Sequence, residues 1–132
     1  MDKVLCMGTF DILHPGHIDY FRQAKQYGAY LIVVVARDSS VLKDKGRLPR
    51  FKEAERHWHV SAQPLVDKAV LGNEGDKLKV VEQEKPDVIC LGYDVKMDEE
   101  QLRQALAQRG LTPKIVRAQP YFPEKYKSSL LK

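Results

Sequence analysis

The segment Tyr30–Ala36 is a continuous apolar run rich in β-branched side chains. A run without alternating polar residues is typical of a central strand in a parallel sheet, where both faces are buried. Shorter apolar segments recur along the chain, and segments with the helical spacing of apolar residues lie between them. Strands that alternate with helices predict a parallel sheet joined by right-handed crossovers. The chain is therefore expected to form an α/β fold.

The boundaries of the predicted elements follow from apolar spacing and from glycine and proline residues. Pro15 suits the first position of a helix, because its missing N–H would find no partner there. Gly28 is expected at the C′ position that closes this helix. The polar, basic stretch 37–52 is expected to be a loop with one helical turn. The predicted strands are Lys3–Met7, Tyr30–Ala36, Leu65–Leu71, Asp87–Leu91 and Lys114–Arg117, and the predicted helices are Pro15–Tyr27, Lys52–Gln63, Lys77–Glu84 and Glu99–Gln108.

With 132 residues the chain is long enough to bury one core and too short for two, so one domain is expected over residues 1–132. A doubly wound, Rossmann-like sheet would place the first strand centrally, in the spatial order 3-2-1-4-5. The carboxyl ends of the first and fourth strands would then flank the topological switch point, where such sheets bind ligands. Gly8 and Gly92 follow these two strands, and the sequence therefore predicts a ligand site between them.

The stretch 8–17, with the sequence GTFDILHPGH, lies at this predicted site. It places His14 and His17 three positions apart at the start of the first helix. A helix N-terminus attracts phosphate through its free N–H groups and its dipole. Two imidazoles add donors for charge that develops on a phosphoryl group. A single histidine at a helix start is usually solvated, but the pair, together with Pro15 and Gly16, favours an anion site.

The GTFD and HPGH elements resemble the signature of the cytidylyltransferase-like branch of the nucleotidyltransferase superfamily. Further segments fall in the order and spacing of the archaeal-type FAD synthetases, and less closely of the glycerol-3-phosphate cytidylyltransferases; they are Ala36–Asp38, Lys43–Arg47, Glu55–Arg56, Leu91–Asp94 and Tyr126–Ser129. The resemblance covers nearly the whole chain. It implies that AMP passes from ATP to FMN, giving FAD and pyrophosphate, with a divalent metal, Mg²⁺, as cofactor.

The resemblance also implies roles for individual residues, none of them a metal ligand. His14 and His17 would contact the bridging and α-phosphate oxygens, and Thr9 and Phe10 would offer backbone N–H groups. The expected catalytic residues are His14, His17, Lys43 and Lys45, and the expected nucleotide-binding residues are Gly8, Thr9, Phe10, His14, His17, Arg56, Gly92, Asp94, Ser128 and Ser129.

Several of the charged residues also have a purely structural interpretation. Lys43 and Lys45 would clamp the β- and γ-phosphates, but single lysines on a loop are often only solvated. Arg56 would bind the nucleotide or form a surface ion pair on its own helix. Asp38 is a weaker candidate for the nucleotide site and would equally cap the following turn.

Two further carboxylates and the tail complete the expected site. Asp94 would bind the base or the ribose, and Gly92 would let the backbone approach the ligand. Asp11 would help to hold Mg²⁺ through water. Ser128 and Ser129 would add hydroxyl donors to the triphosphate. The tail lacks the Gly-Ile-Ser-Thr-Thr run of the cytidylyltransferases, which weakens that interpretation.

Two alternatives remain open from the sequence. The first is a cytidylyltransferase that uses CTP and glycerol 3-phosphate or another small phosphoalcohol. The second is a nucleotide-binding module without turnover. Relatives are often homodimers, and a homodimer is expected here, with the Pro15–Tyr27 face or the tail supplying the contact.

Composition excludes several other classes. The net charge of +4 is mild and the aromatic residues do not interleave with a basic stripe, so no nucleic-acid partner is expected. No apolar stretch approaches the roughly 20 residues of a membrane span, and the N-terminus lacks a signal-peptide pattern, so a cytoplasmic protein is expected. Cys6 and Cys90 are expected to be buried thiols on neighbouring strands. Trp58 is expected in the core.

Overall fold

The computed structural model of the chain describes residues 2–121. Strands and helices alternate along most of this range, as the apolar spacing predicts. The strands are β1 (Lys3–Gly8), β2 (Tyr30–Val35), β3 (Lys68–Leu71), β4 (Val88–Leu91) and β5 (Lys114–Arg117), and the helices are α1 (Pro15–Lys25), α2 (Asp38–Lys45), α3 (Glu53–Ser61), α4 (Lys79–Glu84) and α5 (Glu99–Ala107).

The strands form one sheet in the order β3-β2-β1-β4-β5. Every pairing is parallel. The predicted order and the α/β class are confirmed. The β1 and β2 strands pair along their whole length, from Lys3 with Tyr30 to Gly8 with Val35. Between β1 and β4 the pairs extend only as far as Leu5 with Ile89. The sheet therefore opens at the carboxyl ends of β1 and β4, which is its switch point.

The core lies on both faces of the sheet. One apolar cluster contains Phe21 of α1 and Val60 of α3, and the other contains Val80 of α4 and Leu106 of α5. Alternate residues of β2 enter opposite clusters, with Val33 in the first and Ile32 in the second. Since side chains alternate across a strand, this two-sided burial explains why the run has no polar positions.

Two local predictions are wrong. The stretch 37–52 contains the helix α2, closed by Gly46 in the left-handed conformation. Gly28 does not close α1, because the C-cap residue of this helix is Gln26. A Cβ at Gly28 would instead lie 2.7 Å from the Asp2 carbonyl oxygen. Glycine is therefore required at position 28 by the close approach of the N-terminal segment, not by the end of the helix.

The prediction that Trp58 belongs to the core is also wrong, because Trp58 is 68% exposed to solvent. Helix α3 buries Arg56 and Val60, which are four positions apart and share one face. Trp58 lies two positions from each, about 200° around the helix. The buried arginine determines which face of α3 packs on the sheet.

The two cysteines are buried on adjacent strands and are not joined by a disulfide. The prediction of two buried thiols on neighbouring strands is confirmed. The two thiols also form a hydrogen bond with each other. Burial raises the pKa of the Cys6 thiol well above its usual value.

Within residues 2–121, none of the helices combines the length and the apolar character that crossing a membrane requires.

Candidate active site

The turn after β1 is shaped by Gly8 and Phe10. Phe10 has a φ of 53°, in the left-handed region, and its ring is buried. A Cβ at Gly8 would lie 2.9 Å from the Cζ atom of that ring. Glycine therefore lets the ring of Phe10 fold back under the turn. Among the residues that the structure describes, no hydrogen bond engages the amides of Thr9 and Phe10, so both N–H groups remain available to an anion.

The side chain of His14 caps helix α1. Its Nδ1 atom accepts a hydrogen bond from the Gly16 N–H at 3.0 Å. The Nδ1 atom of His17 accepts from the His14 N–H at 3.4 Å, which completes a reciprocal capping box. An accepting Nδ1 assigns the ring proton to Nε2. The local backbone thus gives both imidazoles the same tautomer, with an Nε2–H that can donate to a ligand.

The two imidazoles stack, with ring centroids 3.9 Å apart. The His17 ring also meets the edge of Phe10, at 5.2 Å between centroids. Burial and the neighbouring His14 lower the pKa of His17 from 6.5 to about 4, although the Asp94 carboxylate raises it. His17 is therefore a neutral hydrogen-bond donor at pH 7. Asp94, in the loop after β4, is thus near enough to His17 to act on its imidazole electrostatically.

The imidazole of His17 should titrate in the acid range. We expect its NMR chemical shifts to report a pKa near 4 in the folded protein, well below the value of about 6.5 in an unfolded peptide. A midpoint above 6 would contradict the packing of the ring between His14 and Phe10.

The lowered pKa of His17 also makes the free energy of unfolding depend on pH. Because the folded-state pKa of His17 is below its ordinary value, the unfolded chain binds more protons between about pH 6.5 and 4. The free energy of unfolding should therefore fall as the pH drops through this window. Urea denaturation of a His17→Gln variant, which cannot titrate, should show a shallower decline.

Arg56 is fully buried and joins several segments behind the turn. Its guanidinium donates to the Thr9 carbonyl at 2.8 Å and to the Ala36 carbonyl at 2.7 Å. It also donates to the Phe51 carbonyl and pairs with the Asp38 carboxylate at 2.7 Å. The surface ion pair considered for Arg56 is therefore wrong. The guanidinium holds the carboxyl ends of β1 and β2 from behind, where it contacts main-chain oxygens.

Asp38 and Glu53 extend this network. The Asp38 carboxylate accepts from the Glu53 N–H at 3.3 Å, and so it caps α3 instead of the turn that follows Asp38. The Glu53 carboxylate in turn accepts from the Asp38 N–H and from Arg37, each at 2.8 Å. Helices α2 and α3 thus begin at one shared cluster of charges.

Asp11 ties the segment before α3 to the turn after β1. Its two carboxylate oxygens accept from the N–H groups of Arg50 and Phe51, both at 2.8 Å. Partial burial acts to raise the pKa of Asp11, but these two hydrogen bonds and nearby arginines outweigh it and lower the pKa. Asp11 is therefore an anionic anchor for this segment, a role that the sequence pattern did not reveal.

Tyr20 holds the two strands that flank the switch point. Its hydroxyl accepts from the Met7 N–H on β1 and donates to the Cys90 carbonyl on β4. Burial, with the adjacent thiols, raises the pKa of the Tyr20 phenol well above its usual value, so it remains a donor. This link lies beyond the last paired residues of the two strands. In the sequence, this link is indicated only by the position of a tyrosine on the buried side of α1.

The remaining predicted residues differ in what the structure shows of them. Lys43 and Lys45 are exposed in the last turn of α2 and form no ion pair within residues 2–121. Gly92 is buried and Asp94 is exposed in the loop after β4. Ser128 and Ser129 lie outside the described residues.

Surface hollows of the protein also lie away from the candidate site. Two of them, of about 280 and 220 Å³, lie at the amino edge of the sheet, beside Lys3 and Pro86 respectively. Neither contains the histidine pair or the unpaired amides. The candidate site is instead an open surface at the carboxyl edge, where His14 is exposed.

In the described part of the chain, no group of three or more histidine, cysteine or acidic side chains is arranged to hold a metal ion. The two oxygens of Asp11 already accept main-chain hydrogen bonds, whereas the Asp94 carboxylate is exposed. This donor set suits an ion that arrives with phosphate oxygens and keeps part of its water shell, as Mg²⁺ does.

Comparisons with known proteins agree with this geometry. A family model described as Cytidylyltransferase-like matches residues 5–132. A curated FAD synthase from Thermoplasma volcanium is 47% identical over 121 residues, which are 92% of this chain and 84% of that protein. Another, from Thermoplasma acidophilum, is 45% identical over 132 residues, covering 100% and 92%. A crystal structure described as the lipopolysaccharide core biosynthesis protein from Thermoplasma volcanium superimposes with a TM-score of 0.88 at 47% identity, over 92% of this chain and 98% of that one.

Proposed function

Because this chain belongs to the cytidylyltransferase-like family, we propose that it is an FAD synthase, in which AMP passes from ATP to FMN and pyrophosphate leaves. The curated relatives with this name support the choice of substrates. The observation that carries the proposal is the stacked pair His14 and His17, whose capping box leaves both Nε2–H groups free to donate at the start of the helix after β1. We assign the whole chain, residues 1–132, to this one nucleotidyltransferase domain.

The reaction needs little covalent work from the protein. An oxygen of the FMN phosphate attacks the α-phosphorus of ATP, and the bond to the bridging oxygen of pyrophosphate breaks. The FMN phosphate is already ionised near neutral pH, so no side chain has to remove a proton from it. Positioning and stabilisation of developing charge therefore account for most of the catalysis.

The histidines would donate to the oxygens on which negative charge grows. His17, neutral at pH 7, would donate through Nε2–H to an α-phosphate oxygen, and His14 to the bridging oxygen. The amides of Thr9 and Phe10, reached through the turn at Gly8, would add donors without a charge. Because the capping box holds the rings in place, the donors need not reorganise during the reaction.

Other predicted residues would act around this centre. Lys43 and Lys45 would bind the β- and γ-phosphates, and Ser128 and Ser129 would add hydroxyl donors. Asp94 would bind the ribose or the base, beside the backbone of Gly92. We assign Arg56 a positioning role, because its donors are used by main-chain carbonyls and Asp38.

A divalent metal, with Mg²⁺ as the expected ion, would neutralise charge on the phosphate oxygens when bound. Its ligands would be phosphate oxygens and water. Asp11 would act only through water, since its oxygens are already engaged.

Incubation of the protein with FMN, ATP and Mg²⁺, followed by chromatography of the flavins, tests the function. We expect FAD and an equal amount of pyrophosphate. Parallel reactions with CTP and glycerol 3-phosphate test the alternative, which the curated relatives do not favour. Nucleotide binding without pyrophosphate release would point to a binding module without turnover.

Substitution of Gly16 by alanine separates catalysis from stability. A Cβ at this position would lie 2.8 Å from the Cε1 atom of His14 and displace the ring. The lost cap costs about 1 kcal/mol, and alanine in a helix recovers about the same amount. We expect kcat to fall by roughly tenfold or more, while the urea midpoint changes little.

Gly72→Ala is the matched control, because a Cβ there would meet only ordinary contacts from 3.5 Å. It should leave kcat unchanged. An unchanged kcat in Gly16→Ala would show that the position of the His14 ring is not important for the reaction.

A further inference from the structure

We propose that Arg117 is a positioning residue that determines nucleotide selection, because it holds the loop 92–97 in the shape that presents Asp94 to the site. The inference rests on the proposed function for its choice of nucleotide. Arg117 is the last residue of β5, beside Leu91 at the end of β4. No sequence motif marked it.

The guanidinium of Arg117 gathers main-chain carbonyls of this loop. Nη1 donates to Gly92 at 3.0 Å and to Val95 at 2.8 Å, and Nη2 donates to Met97 at 2.9 Å. Nε donates to the carboxylate of Glu99, at 3.1 Å, in the first turn of α5. One side chain thus connects the start, the middle and the end of the loop with the helix that follows.

The loop has little else to define its shape. Its internal main-chain hydrogen bonding consists of a 3.2 Å contact from the Val95 N–H to the Gly92 carbonyl. Hydrogen bonds from a charged donor are stronger than neutral ones, so the contacts with Arg117 dominate. Removal of the guanidinium would leave three carbonyls to find new partners, and the loop would shift.

The side chains that face solvent from this loop are suited to a nucleoside. Tyr93 is 54% exposed, and the Asp94 carboxylate acts electrostatically on His17 across the switch point. A carboxylate beside an aromatic ring offers an acceptor for hydroxyl or amino groups and a surface for stacking. These groups select a nucleotide only when the loop that carries them has one conformation.

The test compares Arg117→Met, Arg117→Lys and Glu99→Gln with a matched control, Arg109→Met. Arg109 is likewise an arginine that connects separate segments, through ion pairs with Asp76 and Glu82, but it lies on the surface away from the site. For Arg117→Met we expect the KM for ATP to rise roughly tenfold, the KM for FMN to stay the same, and the preference for ATP over CTP to fall. Arg117→Lys should recover part of the preference.

Glu99→Gln keeps the three contacts between Arg117 and the loop carbonyls. It therefore provides a milder variant that tests the proposal if Arg117→Met fails to fold. It should raise the KM for ATP by a smaller factor. Equal changes in both KM values, or an unchanged ATP to CTP ratio in Arg117→Met, would overturn the proposal. Arg109→Met should match the wild type.

Calorimetric titration with ATP alone separates this inference from the proposed function. If the wild type binds ATP but makes no FAD, the function is wrong, and weaker binding by Arg117→Met still supports the role of Arg117. Equal ATP affinities of wild type and Arg117→Met would overturn that role whether or not FAD is formed. A wild type that binds no ATP overturns both.

Discussion

Replacement of His17 or His14 by alanine should lower kcat for FAD formation by roughly 10²–10³, with a smaller change in the KM for ATP. Each substitution removes an Nε2–H donor whose orientation the capping box sets before substrate binds. Such a donor interacts most strongly with the charge that appears in the transition state, so its loss affects the rate more than the binding of ATP. Steady-state rates at saturating FMN, measured by chromatography of FAD, provide the comparison.

The pH profile adds a second criterion. Because the pKa of His17 is about 4, the ring stays neutral through the physiological range. The rate should therefore show no titration of His17 between pH 6 and 8.

His59→Ala serves as the control for the alanine substitutions of His14 and His17, since His59 lies on α3 against Phe51 and Trp58 and not at the site. Losses confined to KM would show that the pair only holds the nucleotide.

Substitution of Arg56 by methionine should give the largest loss of stability. Removal of one partner from a buried ion pair typically costs about 3–5 kcal/mol. Here it would also leave the carbonyls of Thr9, Ala36 and Phe51 without their donor. We expect the free energy of unfolding, measured in urea, to fall by about that amount, and FAD formation to fall with it because the turn after β1 loses its support.

The matching control is again Arg109→Met, whose ion pairs are exposed and should contribute little. Arg56→Lys keeps the charge but not the planar group of donors, and should recover only part of the stability. A stable Arg56→Met variant with full activity would show that the turn after β1 does not depend on the buried guanidinium.

The fold followed from the sequence because its signals are local. The apolar run of β2 requires two buried faces, and Pro15 with the apolar spacing after it marks the start of α1. Alternation of such elements leaves few ways to arrange a parallel sheet. The prediction was wrong where several local signals competed, as in the basic stretch that contains α2 and at Gly28.

The candidate site was predicted only in part. The proximity of His14 and His17 is a property of helical spacing, so the motif alone indicated it. The tautomers of the two rings depend on hydrogen bonds that need the folded backbone. Burial, which lowers the pKa of His17, likewise arises only when folding brings Phe10 against the edge of the ring.

The sequence by itself determined the class of fold and the motif at the switch point, because these depend on residues that are close along the chain. The strand order pairs residues as distant as Val4 and Val88, and it was predictable because alternating strands and helices leave few arrangements. The tertiary structure decided the partners of Arg56 and Arg117. Thr9 lies 47 positions from Arg56, and Gly92 lies 25 positions from Arg117. An arginine in isolation can bind a phosphate, a carboxylate or a carbonyl with the same donors. Its role depends on which of these groups the folded sheet brings within reach.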